Sequence, residues 1–266
     1  MSPSLRESLR IGLCPDRVAY AHTSRGLRPK LIDRGTLAAE GEFTDQPWRA
    51  AIDALSKVLQ AHGARTTDAV VVLSNHFVRY VLLGADRRIS SREEWLEYAA
   101  HCFEKTYGER ASGWDVLVTE SGPERPRIAS AIDKALLEAI AASFKKSRAR
   151  LRSIRPHLMV AFNRALPAMK RGSSWFVVQE PGQVLLGLLR DGLWQCVRGR
   201  RTDAAWHEAL PQIVDRENAL LAPEEPCRDV FVCALQPAEP GERSGYRFAV
   251  PAPAADDDGI YSMVAA

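Results

Sequence analysis

Ser74-Asn75-His76 sets a hydroxyl close to an imidazole, the pairing from which a nucleophilic serine is built, but no positioned acid completes a relay. No nucleophilic catalysis is expected there. The six histidines lie far apart, without H-x-x-x-H or H-E-x-x-H spacing, so the sequence predicts no metal site. Five cysteines (Cys14, Cys102, Cys196, Cys227, Cys233) are an odd, scattered set with no CxxC pair, which reads as reduced thiols in a cytosol. The densest charge is a basic run: Lys145, Lys146, Arg148, Arg150, Arg152 and Arg155. At a helix end and on the strand after it, such a run complements the helix dipole and then faces solvent on an edge strand. The alternatives are an acidic partner segment or anionic lipid headgroups. It lacks the interleaved aromatics that single-stranded nucleic acid requires. Arg198, Arg200 and Arg201 form a smaller cluster of the same kind.

These groups sit in a chain of 266 residues, 46% hydrophobic and 26% charged, which can bury a substantial core and is neither disordered nor fibrous. A net charge of +3 does not argue for a nucleic-acid partner. Met1 to Arg10 is followed by no apolar stretch of signal-peptide length, so export is not expected. The longest apolar runs, Val184 to Leu189 and Tyr80 to Leu83, are far short of the roughly 18 residues that span a bilayer.

Alternation and turn residues predict a three-stranded meander, Leu9 to Leu13, Arg17 to Ser24 and Lys30 to Leu37. Thr44-Asp45-Gln46-Pro47 supplies capping chemistry for a helix with Trp48, Ile52, Leu55 and Leu59 on one stripe, ended by Gly63. Asp68 to Leu73 is a continuous apolar run suited to a buried strand. Ser90-Ser91-Arg92-Glu93-Glu94 offers overlapping capping boxes for a helix carrying Trp95, Ala99 and Phe103 up to Tyr107-Gly108. Two short strands, Trp114 to Thr119 and Arg127 to Ala131, precede a helix over Ile132 to Ser147, a strand over Leu151 to Pro156 and a short helix around Met159 to Ala165.

From Ser174 the opening pattern returns: strands Trp175 to Gln179, Val184 to Arg190 and Leu193 to Arg198, a helix over Asp203 to Leu221, and a buried strand over Asp229 to Cys233. Ile11 maps near Phe176 and Val70 near Val230, a nearly constant offset that marks a tandem duplication. The α/β chain is therefore expected to form duplicated, RNase H-like βββαβ lobes facing each other across a cleft. The first lobe covers 1–156 with an inserted small subdomain at about 84–130, the shortened second lobe covers 157–250, and the Pro-, Ala- and Asp-rich 251–266 is a disordered tail.

The duplicated lobes resemble the actin-like, Hsp70-like ATPase fold. The stretch from Leu73-Ser74-Asn75-His76-Phe77 through Trp95 and Trp114 to Arg127 resembles the PilM pilus-assembly proteins and the cytoplasmic domain of GspL secretion proteins. ATPases of this fold share two phosphate loops, each an Asp followed by glycines and a Ser or Thr, whose small residues let backbone N–H groups reach the phosphates while the Asp organises the metal. The corresponding bends here are Cys14-Pro15-Asp16-Arg17 and Glu180-Pro181-Gly182-Gln183, each with a proline where a donor is wanted. Only Gly241 and Gly245, isolated among charged residues, stand where an adenine-packing Gly-Gly turn is expected.

The resemblance thus implies a degenerate, non-catalytic protein without a cofactor, an assembly or docking component of a type IV pilus or type II secretion-like machine. It would be cytoplasmic, peripheral to the inner membrane through a partner, binding a short segment of a membrane-anchored assembly protein and a secretion ATPase. Tyr98, Tyr107 and Trp114 in the inserted piece, and Trp194 on the second meander, are the candidate partner contacts. Trp48, Trp95 and Trp206 fall on helical stripes and are expected in the core. The competing enzyme reading is an ATP-binding or ATP-hydrolysing protein with atypical loops, in which Asp16, Glu180 and Gly182 contact Mg-ATP. A third reading makes the Lys145 to Arg155 patch a small-molecule or lipid-surface site.

Overall fold

The computed structural model describes residues 7–24, 26, 30–40, 46–62, 67–122, 124–169, 172–203, 205–221, 226–235, 238–250 and 263–264. Strands β1 (Glu7–Leu13), β2 (Arg17–Thr23) and β3 (Leu31–Ala38) form the predicted meander, and helix α1 (Arg49–His62) follows it. The Thr44-Asp45 cap and the Gly63 stop lie outside the described residues. Strand β4 (Thr67–Leu73) runs parallel to β1, with Ile11 opposite Val71. One face of this sheet sends Leu9, Ile11, Leu13, Val71 and Leu73 against Leu55 and Leu59 of α1. Each such leucine, fully buried, contributes about 1.5–3 kcal/mol relative to exposure.

A short 3-10 turn (Asn75–Phe77) leads from β4 into β5 (Val78–Leu83), then α2 (Arg92–Tyr107), β6 (Trp114–Val118) and β7 (Arg127–Asp133). Helix α2 opens on the capping box the sequence predicts: Ser91 Oγ accepts from Glu94 N at 3.1 Å and the Glu94 carboxylate accepts from Ser91 N at 3.1 Å. β5, β7 and β6 make a separate three-stranded sheet covered by α2 through Trp95, Ala99 and Phe103. The subdomain begins earlier than the expected 84, because β5 pairs with β7 along its whole length, from Val78 opposite Ile132 to Leu83 opposite Arg127.

Helix α3 (Lys134–Lys145) returns to the first lobe, placing Leu136, Ile140 and Phe144 on the same core as α1. Strand β8 (Arg150–Pro156) completes that sheet in the order β3-β2-β1-β4-β8. Helix α4 (His157–Ala165) then joins the lobes.

In the second lobe β9 (Ser173–Glu180), β10 (Gln183–Arg190), β11 (Leu193–Arg201), α5 (Trp206–Leu221) and β12 (Asp229–Ala234) repeat the first five elements. The pairings repeat too: β9 with β10 and β10 with β11 antiparallel, β12 parallel to β9. A hairpin the sequence analysis missed, β13 (Gly241–Arg243) and β14 (Tyr246–Ala249), follows, and β14 lies parallel to β12 as β8 lies parallel to β4. Gly241 and Gly245 belong to this hairpin, Gly245 at φ +79° in its turn.

Trp48, Trp95 and Trp206 are buried as expected. Met263 and Val264 correct the reading of the tail as wholly disordered: both are buried against Cys14, Ala21, Val72 and Leu235. Gly12 makes room for them, since a Cβ there would stand 3.3 Å from Met263 Cβ. The remainder of 251–266 lies outside the described residues. Among the described residues no helix is long and apolar enough to cross a membrane.

Candidate functional site between the two hairpin bends

The β1–β2 bend and the β9–β10 bend face each other across the junction of the lobes, and a cavity of about 450 Å³ lies between them, lined by Pro15, Asp16, Ser74, His76, Glu180 and Pro181. What fills the second bend is its own carboxylate. Glu180, the last residue of β9, is 1% exposed and reaches into the first lobe.

Three elements of different origin meet it. Ser74 follows β4, its backbone N–H held by Leu13 O at 2.9 Å, and its hydroxyl donates to Glu180 Oε2. Asn75 N donates to Oε1 and Oε2 at 3.0 and 3.1 Å, because the 3-10 turn beginning there leaves its first N–H free of internal partners. His157, the first residue of α4, brings Nδ1 to 2.6 Å from Oε1, which places a proton on that nitrogen. Gln183 Nε2 adds a longer contact to Oε2 at 3.3 Å. Four donor groups therefore meet a carboxylate with about four lone-pair sites. Burial pushes the Glu180 carboxyl up, but donation by His157, Asn75 and Ser74 outweighs it and holds the group below its ordinary value.

A second layer fixes the donors. Asn75 Oδ1 accepts from Leu158 N at 3.1 Å and from the Tyr80 hydroxyl at 2.7 Å. Burial, and then the Glu180 charge, push the Tyr80 phenol up. The His76 backbone N–H donates to Ser74 Oγ at 3.2 Å, but its imidazole turns away: Nε2 meets Pro181 O at 2.9 Å, a further tie between the lobes. The Ser74, Glu180 and His157 side chains are all buried, and the carboxylate stands between hydroxyl and imidazole, so the imidazole cannot take the serine proton. The arrangement ties the end of β4 and the start of α4 to the end of β9.

The first bend is different. Asp16 is exposed and is bound by its neighbour Arg17, Nε at 2.9 Å and Nη2 at 2.5 Å. Cys14 N is spent on Arg17 O at 2.9 Å, and burial, foremost, pushes the Cys14 thiol up. A magnesium triphosphate requires converging N–H donors and a carboxylate free to order metal-bound water. Pro15 and Pro181 have no N–H, Glu180 has its oxygens engaged, and the charges facing the cavity are carboxylates apart from the Arg17 that Asp16 already holds. The residues present do not fit that group. Among the described residues no cluster of His, Cys, Asp and Glu suits a metal ion.

The other predicted site residues are scattered. Tyr98 and Tyr107 are 39% and 38% exposed on α2, while the Trp114 ring is half-buried against Tyr107 and Phe103. Trp194 is not a surface residue: it lies against Phe162 and Phe176 in the second lobe. Gly187 on β10 makes that possible, since a Cβ there would stand 2.1 Å from the indole, and a register shift at Leu188/Leu189 sets Trp194 and Cys196 on opposite faces. Lys145, Lys146, Arg148, Arg150, Arg152 and Arg155 are all exposed, the arginines of β8 on an edge strand, with Arg152 paired to Asp68 at 2.8 Å. Arg198 and Arg200 are not simply solvated but share the buried Glu217 of α5. Sequence reasoning missed His157 and Asn75, whose roles arise only when the lobes meet; a histidine opening a helix directly after a strand-ending proline was the one local sign.

No protein-family model matches the chain, and no curated protein matches it. Solved structures do match its fold. The cytoplasmic domain of EpsL, an inner membrane component of the type II secretion system of Vibrio cholerae, superposes with a TM-score of 0.63 at 12% identity, covering 97% of this chain and 93% of that one. A chain of the PilM-PilN type IV pilus biogenesis complex gives 0.62 at 11% identity, covering 85% of this chain and 81% of that one. A Bacteroides thetaiotaomicron protein with actin-like ATPase fold and unknown function gives 0.56 at 8% identity, with coverage of 85% and 81%. The chain has the actin-like fold in its GspL/PilM form, with duplicated RNase H-like lobes.

Proposed function

We propose that this protein is a non-catalytic docking component of a type IV pilus or type II secretion-like assembly, placed in the cytoplasm and held at the inner membrane through a partner. One observation carries the reading: the bend that should receive phosphate is filled by Glu180, whose oxygens are bound by Ser74 and Asn75 from across the cleft and by His157 of the joining helix. The likeness to EpsL and to the PilM-PilN complex supports the choice of machine, and a membrane-anchored partner supplies the link to the bilayer. The partner would be a short segment of a bitopic assembly protein, engaging the inserted subdomain around Tyr98 and Trp114; a secretion ATPase is a second partner.

The ATP-binding reading rests on the cavity of about 450 Å³ between Asp16 and Glu180. Calorimetry separates the two. Titration with Mg-ATP to millimolar concentration should give no saturable heat that Asp16→Ala removes, while a cytoplasmic peptide from a bitopic pilus or secretion protein encoded beside this gene binds and is weakened by Tyr98→Ala. A micromolar Mg-ATP isotherm that disappears in Asp16→Ala would overturn the docking reading.

A further inference from the structure

A second recess, of about 360 Å³, lies outside the cleft cavity, where the inserted subdomain meets the second lobe. Arg79 enters it from β5, Arg200 and Arg201 from β11, and no Asp or Glu lines it. Glu217 accepts from Arg200 and pairs with Arg198 at 3.1 Å, so a single carboxylate faces two guanidiniums. Arg79 donates only to the His76 and Val78 carbonyls, at 3.0 and 3.2 Å, and neither Arg79 nor Arg201 has a carboxylate partner among the described residues. Positive charge in the recess is therefore in excess.

Hydrogen-bond accounting points the same way. Asn75 Nδ2 and Arg200 Nε, both on residues that line the recess, are buried donors without an acceptor among the described residues. Buried donors are nearly always paired, by protein, water or a bound group. Tyr107, 38% exposed, adds an aromatic wall.

We propose that this recess binds a phosphate group. Guanidiniums arriving from separate strands suit a tetrahedral phosphate, whose oxygens point several ways and carry one to two negative charges, whereas one Arg fork already satisfies a planar carboxylate. Because Arg79 belongs to the inserted subdomain and Arg200 and Arg201 to the second lobe, the phosphate bridges the two. The group comes either from a soluble phosphorylated molecule or from a phospholipid headgroup. The inference does not depend on the docking reading.

The test is calorimetric titration of the whole chain with inorganic pyrophosphate at low salt, beside flotation with phosphatidylglycerol and with phosphatidylcholine vesicles. Saturable pyrophosphate binding, weakened at least tenfold in Arg79→Gln and in Arg201→Gln and unchanged in Asp16→Ala, is the expected result. Flotation with phosphatidylglycerol that Arg201→Gln abolishes would assign the headgroup as the source; pyrophosphate binding without flotation would assign a soluble ligand. Amide resonances of Gly182, Gln183 and Gly199 should shift in the wild-type chain, a readout that stands even if a variant misfolds. Binding of neither probe, equal binding by the arginine variants, shifts confined to the Asp16 bend, or glutamate binding as tightly as pyrophosphate would each overturn the proposal.

Discussion

The two hairpin bends occupy equivalent places in a duplicated motif and have met opposite fates. At the first, the Asp16 side chain is 53% exposed and, among the described residues, bound only by the residue beside it; at the second, Glu180 is 1% exposed and bound by Ser74 and Asn75 of the other lobe and by His157. Both contain a proline, which has no N–H to donate, so that feature alone does not distinguish them. Depth does. An exposed carboxylate without a ligand is solvated and costs nothing, whereas a buried one must find donors or shift the balance of the fold. Glu180 finds them in the β4 end and in α4, and the second bend is a seam between lobes.

That contrast can be broken at several points. Glu180→Ala strips the acceptor from Ser74, Asn75 and His157 together and should destabilise the chain by about 3–5 kcal/mol, read by urea denaturation. His157→Ala leaves the carboxylate with its remaining donors, and a loss of about 1.5–3 kcal/mol is expected. Acid sharpens the comparison further. Because the folded state holds Glu180 below its ordinary value of 4.5, its stabilisation is complete above that pH and is lost as pH falls through the depressed folded value. Glu180→Gln should therefore flatten the decline of stability in that window. Asp16→Ala, at the exposed bend, should change stability by less than about 1 kcal/mol. A large effect at Asp16, or none at Glu180, would erase the distinction between the bends.

Much of the fold was legible because its signals are local: alternation in the meanders, the capping box at Ser91 and Glu94, and the buried runs of β4 and β12. The bends were legible as well, since a proline announces a missing donor wherever it stands. The seam was not, because Ser74, His157 and Glu180 are far apart in sequence and each is an ordinary polar residue until the lobes meet. Trp194 misled for a structural reason: a register shift altered the alternation around it, and the space for its indole came from Gly187 on the neighbouring strand. Strands β13 and β14 are too short and too charged to show a period, and Met263 and Val264 end a segment whose composition otherwise reads as solvated.

The most direct test is a crystal structure grown with Mg²⁺ and an excess of a non-hydrolysable ATP analogue. The account predicts the Glu180 carboxylate still bound to Ser74, Asn75 and His157, with no triphosphate between the bends. An ordered triphosphate gripped by the Asp16 and Gly182 bends, with Glu180 swung away from His157, would contradict it.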